Sequence, residues 1–413
     1  MNDADPLNDV VSGQYERWVY PAPILDLPGW LEHNWQWFDP SHAAPMLWPD
    51  RGYRPGLDIL VAGCGTNQAA VIAYTNPTAR VVALDVSEAS LAHHRYLAEK
   101  YELVNLELHR LPIEECASLG ADFDLVITTG VLHHLADPAV GMRALGQCLR
   151  VDGVLAVMLY ATCGRIGVQL LQSAFRDLEL GQDEESLLVV RDALAQLGPD
   201  HPVAGYLGIA PDLEDDAGLV DTFLHGRERD YTIGECRALV ASAGLVFQDV
   251  FLKSPYYAPR GTTSEFLCRV AALPREQQWA VMERVNTRNA CHFFLACRPE
   301  RPRSSYDIDF DSREFDSRDP LRFVPSLRHA CRLDGDTLRR HDWQVTLDAG
   351  QAQIAARMDG HRTIAQIVDA TTSSGPLARV DNAEVRSQAV ELFRSLWQAD
   401  FVALGLPPTP GGG

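Results

Sequence analysis

The stretch LDILVAGCGTNQ, Leu57 to Gln68, with ALDVS following at Ala83 to Ser87, decides the fold class. The apolar run Ile59 to Ala62 predicts a strand buried on both faces. It breaks at Gly63-Cys64-Gly65, before a helical pattern that begins near Asn67. A strand that turns through glycines into a helix is the opening unit of a doubly wound α/β sheet. At the carboxyl edge of such a sheet a ligand meets bare backbone N–H groups and the positive end of a helix, and a Cβ on the turn would hold it off. A second apolar run, Val81 to Leu84, ends in Asp85. That is about twenty residues past Gly65, the spacing that sets a carboxylate against ribose hydroxyls.

A GxG turn with a downstream Asp is shared by nicotinamide dehydrogenases and class I S-adenosylmethionine methyltransferases. The dinucleotide fingerprint wants a third glycine where this chain has Gln68. Further on, FDLVITTGVLHH, Phe123 to His134, joins an acidic strand start to a strand and a loop, and GVLAVMLY, Gly153 to Tyr160, supplies another strand. This succession resembles the class I methyltransferase family, over roughly Asp58 to Tyr160 and more weakly to Arg298. The resemblance implies a Rossmann-like, doubly wound, seven-stranded sheet with S-adenosylmethionine as cofactor. It puts the methionine moiety over Gly63, Cys64 and Gly65 with Asn67 and Gln68 beside them, ribose on Asp85, and adenine next to Val86 and Ile113. Thr129 and Gly130, at the end of the fourth strand, join the expected cofactor contacts. The chain departs from the family pattern at Val61, where an acidic residue is usual, at Asn67, where a third loop glycine is usual, and at Pro112, where an acid near the adenine is usual. Asn67 tolerates positive φ better than most residues, so the turn is expected to survive.

Composition bounds the rest. The 413 residues suffice for two domains, and 46% hydrophobic with 22% charged residues is the balance of a soluble globular protein. A net charge of -20 argues against nucleic acid or an anionic membrane as partner. No apolar run reaches about 18 residues and the start, MNDADPLNDVV, lacks a signal-peptide pattern, so a cytoplasmic location is expected. Nine scattered cysteines without a CxxC pair give neither a disulfide framework nor a structural zinc site.

Residues 1 to 54 carry five of the eight tryptophans, Trp18, Trp30, Trp35, Trp37 and Trp48, in a proline-broken segment. The reading is a lid whose rings line the acceptor pocket, with Tyr15 and Tyr20 nearest the ligand; QYERWVYPAP, Gln14 to Pro23, resembles a signature of one bacterial branch of the family. His133 and His134 stand at the carboxyl end of the fourth strand, where an imidazole would take a proton from an acceptor hydroxyl or amine. An insertion at about 162 to 230 is placed to cover the acceptor site, its first helix presenting Ile166, Leu170, Leu171, Phe175 and Leu178. Its densest polar run, Asp221 to Tyr231, holds His225 as a third catalytic candidate and Arg227, with Tyr160, as an acceptor contact. Asp221 and His225 lie four apart, but no third ligand is evident and no metal is expected. Thr232 to Glu235 has the form of a capping box, and Val246 to Leu252 with His292 to Cys297 predict an antiparallel pair at the sheet edge.

The methyltransferase domain is thus expected over 55 to 300, a linker over 301 to 325, and a small α+β domain over 326 to 413. Helices at 349 to 358, from Thr363, and at 383 to 399, with a closing strand at Phe401 to Leu404, resemble a winged-helix unit. MDGHRTIAQIV is similar to the small peptide-binding winged-helix domains that accompany peptide-modifying enzymes. Together these readings give an S-adenosylmethionine-dependent methyltransferase acting by in-line displacement on an oxygen or nitrogen of a small-molecule acceptor. The alternatives are a peptide or protein methyltransferase whose C-terminal domain holds the partner, with homodimerisation as that domain's other use, and a noncatalytic S-adenosylmethionine-binding subunit.

Overall fold

A computed structural model describes residues 5–310, 319–373 and 376–406. Part of the expected linker, 311–318, and the PPTPGGG tail lie outside the described residues. The chain divides into two compact units, Met1–Phe38 with Pro55–Val250 and Glu283–Glu300, and Asp39–Arg54 with Phe251–Met282 and Arg301–Gly413. Residues 39–54, expected in the lid, and 251–282, expected in the methyltransferase domain, therefore belong to the second unit.

The first unit is built on seven strands: β1 (Asp58–Ala62), β2 (Arg80–Asp85), β3 (Leu106–Arg110), β4 (Phe123–Thr129), β5 (Leu149–Tyr160), β6 (Val246–Val250) and β7 (Cys291–Cys297). Their order is β3-β2-β1-β4-β5-β7-β6. The first five run parallel and β7 is antiparallel to both β5 and β6. Ile59 to Ala62 are fully buried, as a central parallel strand covered on both faces requires. The acidic strand starts have a shared cause: Arg150 pairs with Asp58 and Asp124 and ties the amino ends of β1 and β4. The strand expected from Gly153 starts earlier, so that Asp152-Gly153 lies inside β5, at a register shift opposite Phe123–Leu125. An ideal Cβ on Gly153 would stand 2.9 Å from the Phe123 carbonyl oxygen, so the bulge needs a glycine there.

Side-chain caps start several helices, the Thr232–Glu235 box among them as expected. Ser87 caps Glu88–Lys100, Asp137 caps Pro138–Gln147, and Thr232 with Glu235 forms a complete capping box on Ile233–Ser242. The insertion folds as helices Ile166–Asp177, Glu184–Gln196 and Asp216–Phe223 around Val168, Leu171, Phe175, Val190, Leu219 and Phe223. Of the apolar face expected for its first helix, Leu171 and Phe175 are buried, whereas Ile166, Leu170 and Leu178 are exposed. Val168 takes the inner position instead.

In the second unit Val324–Leu327 pairs antiparallel with Val402–Gly405, next in sequence comes a three-stranded antiparallel sheet at 332–346, and three helices follow, Ala349–Ala355, Ile364–Thr372 and Asn382–Gln398. The sheet precedes the helices, unlike a wing that follows them. Buried Asp400 holds this unit together, accepting from the Lys253 and Ser254 N–H groups and pairing with Arg328. Among the described residues no helix is long and apolar enough to cross a membrane.

Candidate active site

The turn after β1 places Gly63 at φ +72° and Gly65 at φ +53°. Asn67 has φ -131°, so the left-handed position expected of it is not used. Its amide instead fastens the N-terminal segment: Oδ1 accepts from the Ile24 N–H at 2.9 Å and Nδ2 donates to the Ala22 carbonyl at 2.9 Å. Thr66 Oγ1 donates to the Pro21 carbonyl at 2.7 Å. A Cβ on Gly63 would lie 2.4 Å from Val131 Cγ2. Gly63→Ala is therefore expected to cost about 2 kcal/mol, from the left-handed φ and the clash together, read as a lowered urea midpoint.

Asp85, at the end of β2, accepts from the Gly65 N–H at 2.8 Å on Oδ2 and from the Ser87 N–H at 2.9 Å on Oδ1. Burial pushes its carboxyl up to about 6 against the pull of these N–H groups. From this point a cavity of about 760 Å³ runs under the N-terminal segment. All ten residues expected to contact the cofactor line it: Gly63, Cys64, Gly65, Asn67, Gln68, Asp85, Val86, Ile113, Thr129 and Gly130. Gln68 Nε2 donates to Thr129 Oγ1 and to Gln36 Oε1, both at 3.1 Å, joining the helix start to the end of β4.

The other end of the cavity is walled by tyrosines and carboxylates. Tyr15 donates to Asp221 Oδ1 at 2.8 Å, Tyr160 to Asp221 Oδ2 at 3.2 Å, and Tyr20 to Asp212 Oδ2 at 2.8 Å. Burial pushes the Asp221 carboxyl up to about 6, with the two tyrosines and more distant Arg165 pulling the other way. Tyr160 is itself fixed. Its ring stacks on His133 at 4.0 Å between centroids, and the Arg165 guanidinium carbon lies 3.8 Å from the ring centroid. Groups that close cannot share one face, so they hold the ring from both sides. Arg165 is fully buried and paired with Glu228 and Asp230.

Of the three histidines proposed for catalysis, His134 lines the cavity; His133 and His225 do not. His134 Nδ1 bonds the Arg227 carbonyl at 3.0 Å, so Nδ1 carries the proton and buried Nε2 keeps a lone pair without a partner. Burial depresses its imidazole to about 3. His133 Nδ1 accepts from the Tyr160 N–H at 3.3 Å, and His225 stacks on His134 at 3.8 Å and 16°. Burial holds both rings well below the usual histidine range, hence neutral. Arg227, expected to contact the acceptor, reaches the cavity wall, but its Nε donates to the His134 carbonyl and its guanidinium pairs with Asp9, capping residue of the Val10–Arg17 helix. Of the five tryptophans, Trp30 lines the cavity, Trp35 and Trp37 meet edge to face with Trp37 against Phe293, Trp18 donates to the Gln182 carbonyl, and Trp48 lies in the second unit.

Sequence reasoning left Asp212, Asp215, Asp221 and Glu114 out of the site, although all four line it. The available signal was Asp221 itself, a carboxylate inside the apolar string Gly218 to Phe223. His134, Asp221 and His225 bring potential metal-ligand atoms within 4.8 Å of one another. Their chemistry does not fit an ion. His225 Nδ1 accepts from the Arg227 N–H at 3.0 Å, so the neutral ring carries its proton on Nε2, which faces Tyr15. The stacked rings also send their in-plane lone pairs side by side rather than to one point.

A family model described as "Methyltransferase domain" matches residues 60–155. An uncharacterised protein of Synechococcus sp. is 27% identical over 341 residues, 79% of this chain and 78% of that protein. The trans-aconitate 2-methyltransferase of Deinococcus radiodurans is 32% identical over 156 residues, 36% of this chain and 57% of the enzyme, so the match spans little more than half of that relative. Among solved structures, PKMT2 from Rickettsia typhi shares the fold, with a TM-score of 0.64 and 14% identity over 94% of this chain and 77% of that one. With this strand order, the chain carries a class I methyltransferase domain, an enzyme domain whose cofactor is S-adenosylmethionine.

Proposed function

We propose that this class I methyltransferase domain transfers the cofactor's methyl group to an oxygen or nitrogen of an acceptor seated among Tyr15, Tyr20, Tyr160 and Asp221. The observation that carries the reading is one continuous cavity lined by the glycine turn with Asp85 and by the Tyr15, Tyr160 and Asp221 cluster, with Tyr15 spanning the two, its carbonyl accepting from Ser87 Oγ and its hydroxyl donating to Asp221. The residues fit the cofactor. The turn brings Gly63 and Gly65 to the cavity, Asp85 retains lone pairs for ribose hydroxyls, and Val86 with Ile113 gives an apolar wall for the adenine. Bound there, S-adenosylmethionine supplies an electrophilic methyl group on a sulfonium leaving group. The chain's own task is then to align the acceptor and hold water out. Residues 5–38, pinned by Thr66 and Asn67, act as the lid. His134 Nε2 accepts a hydrogen bond from the acceptor's O–H or N–H, and His133 and His225 keep Tyr160 and His134 in place from behind.

His134→Ala is expected to lower kcat about 10- to 100-fold with little change in the KM for S-adenosylmethionine, because the lost bond orients the acceptor only. An equal rise in cofactor KM would assign His134 to the cofactor instead. A peptide acceptor, held by the second unit, is the second reading. It is favoured by the extent of the fold shared with the Rickettsia typhi structure, which takes in both units. Truncation after residue 300 does not separate the two readings, since 39–54 and 251–282 would be left without the rest of their unit. Incubating the whole protein with cell extract and methyl-labelled cofactor does: label in the ultrafiltrate supports a small acceptor, and label retained on polypeptide supports the second.

A further inference from the structure

Asp221 is 2% exposed, and its two oxygens are met by two neutral hydroxyls. No ion pair reaches it among the described residues. Its helix, Asp216–Phe223, makes matters worse, because a carboxylate in the last turn faces the negative end of the helix dipole. Asp212 and Asp215 line the same cavity, and the one arginine lining it among the described residues, Arg227, is engaged by Asp9. A buried carboxylate without a cation is costly unless something that binds supplies one. The sheet separates this group from the ribose carboxylate: β2 ends in Asp85, β5 ends in Tyr160, and β1 and β4 lie between them. Three strand spacings put the two ends about 14 Å apart. The ribose is therefore out of reach of Asp221; the cations left to meet it are the cofactor's own ammonium and sulfonium and an ammonium on the acceptor, and the titration below separates them.

We propose that the chamber formed by Asp221, Tyr15 and Tyr160 binds the acceptor as an ammonium ion, so that the acceptor is an aliphatic amine and nitrogen the attacking atom. The proposal rests on the methyl-transfer reading above. Asp221 takes one N–H proton from the bound ammonium. The nitrogen lone pair so freed forms the N–CH3 bond as the S–CH3 bond breaks, its electron pair staying on sulfur. The products are an N-methylammonium ion and S-adenosylhomocysteine, and the proton passes from Asp221 to solvent. His134 Nε2 accepts from a second N–H and sets the direction of the lone pair.

The test is calorimetric titration of the whole protein, saturated with S-adenosylhomocysteine, with two matched pairs, benzylamine and benzyl alcohol, then butylamine and butanol. The ammonium ions are expected to bind at least about 10-fold more tightly than the alcohols. Asp221→Asn should erase that preference, and Tyr160→Phe, which keeps the charge, should retain it. S-adenosylhomocysteine binding by each variant reports that its site is folded. Equal binding of amine and alcohol by the intact protein, or no binding of the amines, overturns the proposal without needing any variant. So does an Asp221→Asn protein that loses affinity for S-adenosylmethionine while keeping the amine preference, since Asp221 would then serve the cofactor. Failure of the intact protein to bind S-adenosylhomocysteine is a separate result, and it removes the cofactor reading beneath the proposal.

Discussion

Asp85→Ala is expected to weaken S-adenosylmethionine and S-adenosylhomocysteine binding by about 100-fold or more, the loss of two charge-assisted hydrogen bonds. The carboxylate has two jobs. It offers acceptor lone pairs at the end of β2, and through Gly65 and Ser87 it fastens the glycine turn to the start of the next helix. Alanine removes both, so the turn loses its anchor together with the ribose its acceptor. Asp85→Asn keeps the shape and one acceptor oxygen and should fall between the two. Because burial lifts this carboxyl to about 6, the affinity of the intact protein should be flat above neutrality and decline as the pH drops through about 6, where the acceptor becomes protonated. Calorimetry of both ligands across that range checks the assignment. An Asp85→Ala protein that binds as tightly as the intact one would remove the ribose role.

The difference between the two ends of the cavity also explains what the sequence discloses. The end proposed for the cofactor is made from four short stretches in which spacing along the chain is nearly spacing in space: the turn at Gly63 to Gln68, Asp85 to Ser87, Ile113, and Thr129 with Gly130. Strand periodicity and glycine chemistry reach those directly, and the edge pair β6–β7 follows from the same patterning. The acceptor end is made from contacts between residues far apart, Tyr15 with Asp221 across 206 positions and Tyr20 with Asp212 across 192. No periodicity encodes such a meeting. Tyr15, Tyr20 and Tyr160 were legible as aromatic candidates, but the carboxylates they hold were not. Asn67 shows the converse error: read as a turn residue, it serves as a clasp, because an amide that both donates and accepts can satisfy two backbone groups of a crossing segment. Residues 39–54 were assigned to the lid by composition alone, and composition does not say which core a tryptophan joins.

Asp221→Asn is expected to make the ligand-free protein more stable while depriving it of its acceptor. The folded state raises this carboxyl from 3.8 to about 6, so folding favours the protonated form. Below about pH 4 both folded and unfolded chains carry a neutral group and the charge costs nothing. Between about 4 and 6 the unfolded chain is ionised while the folded one stays protonated, and the penalty grows; above about 6 it is complete, at about 3 kcal/mol. Asparagine removes that penalty. Its Oδ1 accepts from one tyrosine hydroxyl and its Nδ2 donates to the oxygen of the other, so the chamber keeps its shape. The gain in the first unit's unfolding temperature should therefore be absent near pH 4 and largest near pH 8, and scanning calorimetry of the two proteins at those pH values reads it as a difference. Asp85 and Glu228 titrate in the same direction but are common to both proteins and cancel. A gain independent of pH would mean that burial of charge is not what asparagine relieves. Turnover should move the opposite way, with the KM for the acceptor rising at least about 10-fold, because the charge that strains the empty chamber is the one that holds an ammonium ion in the filled one.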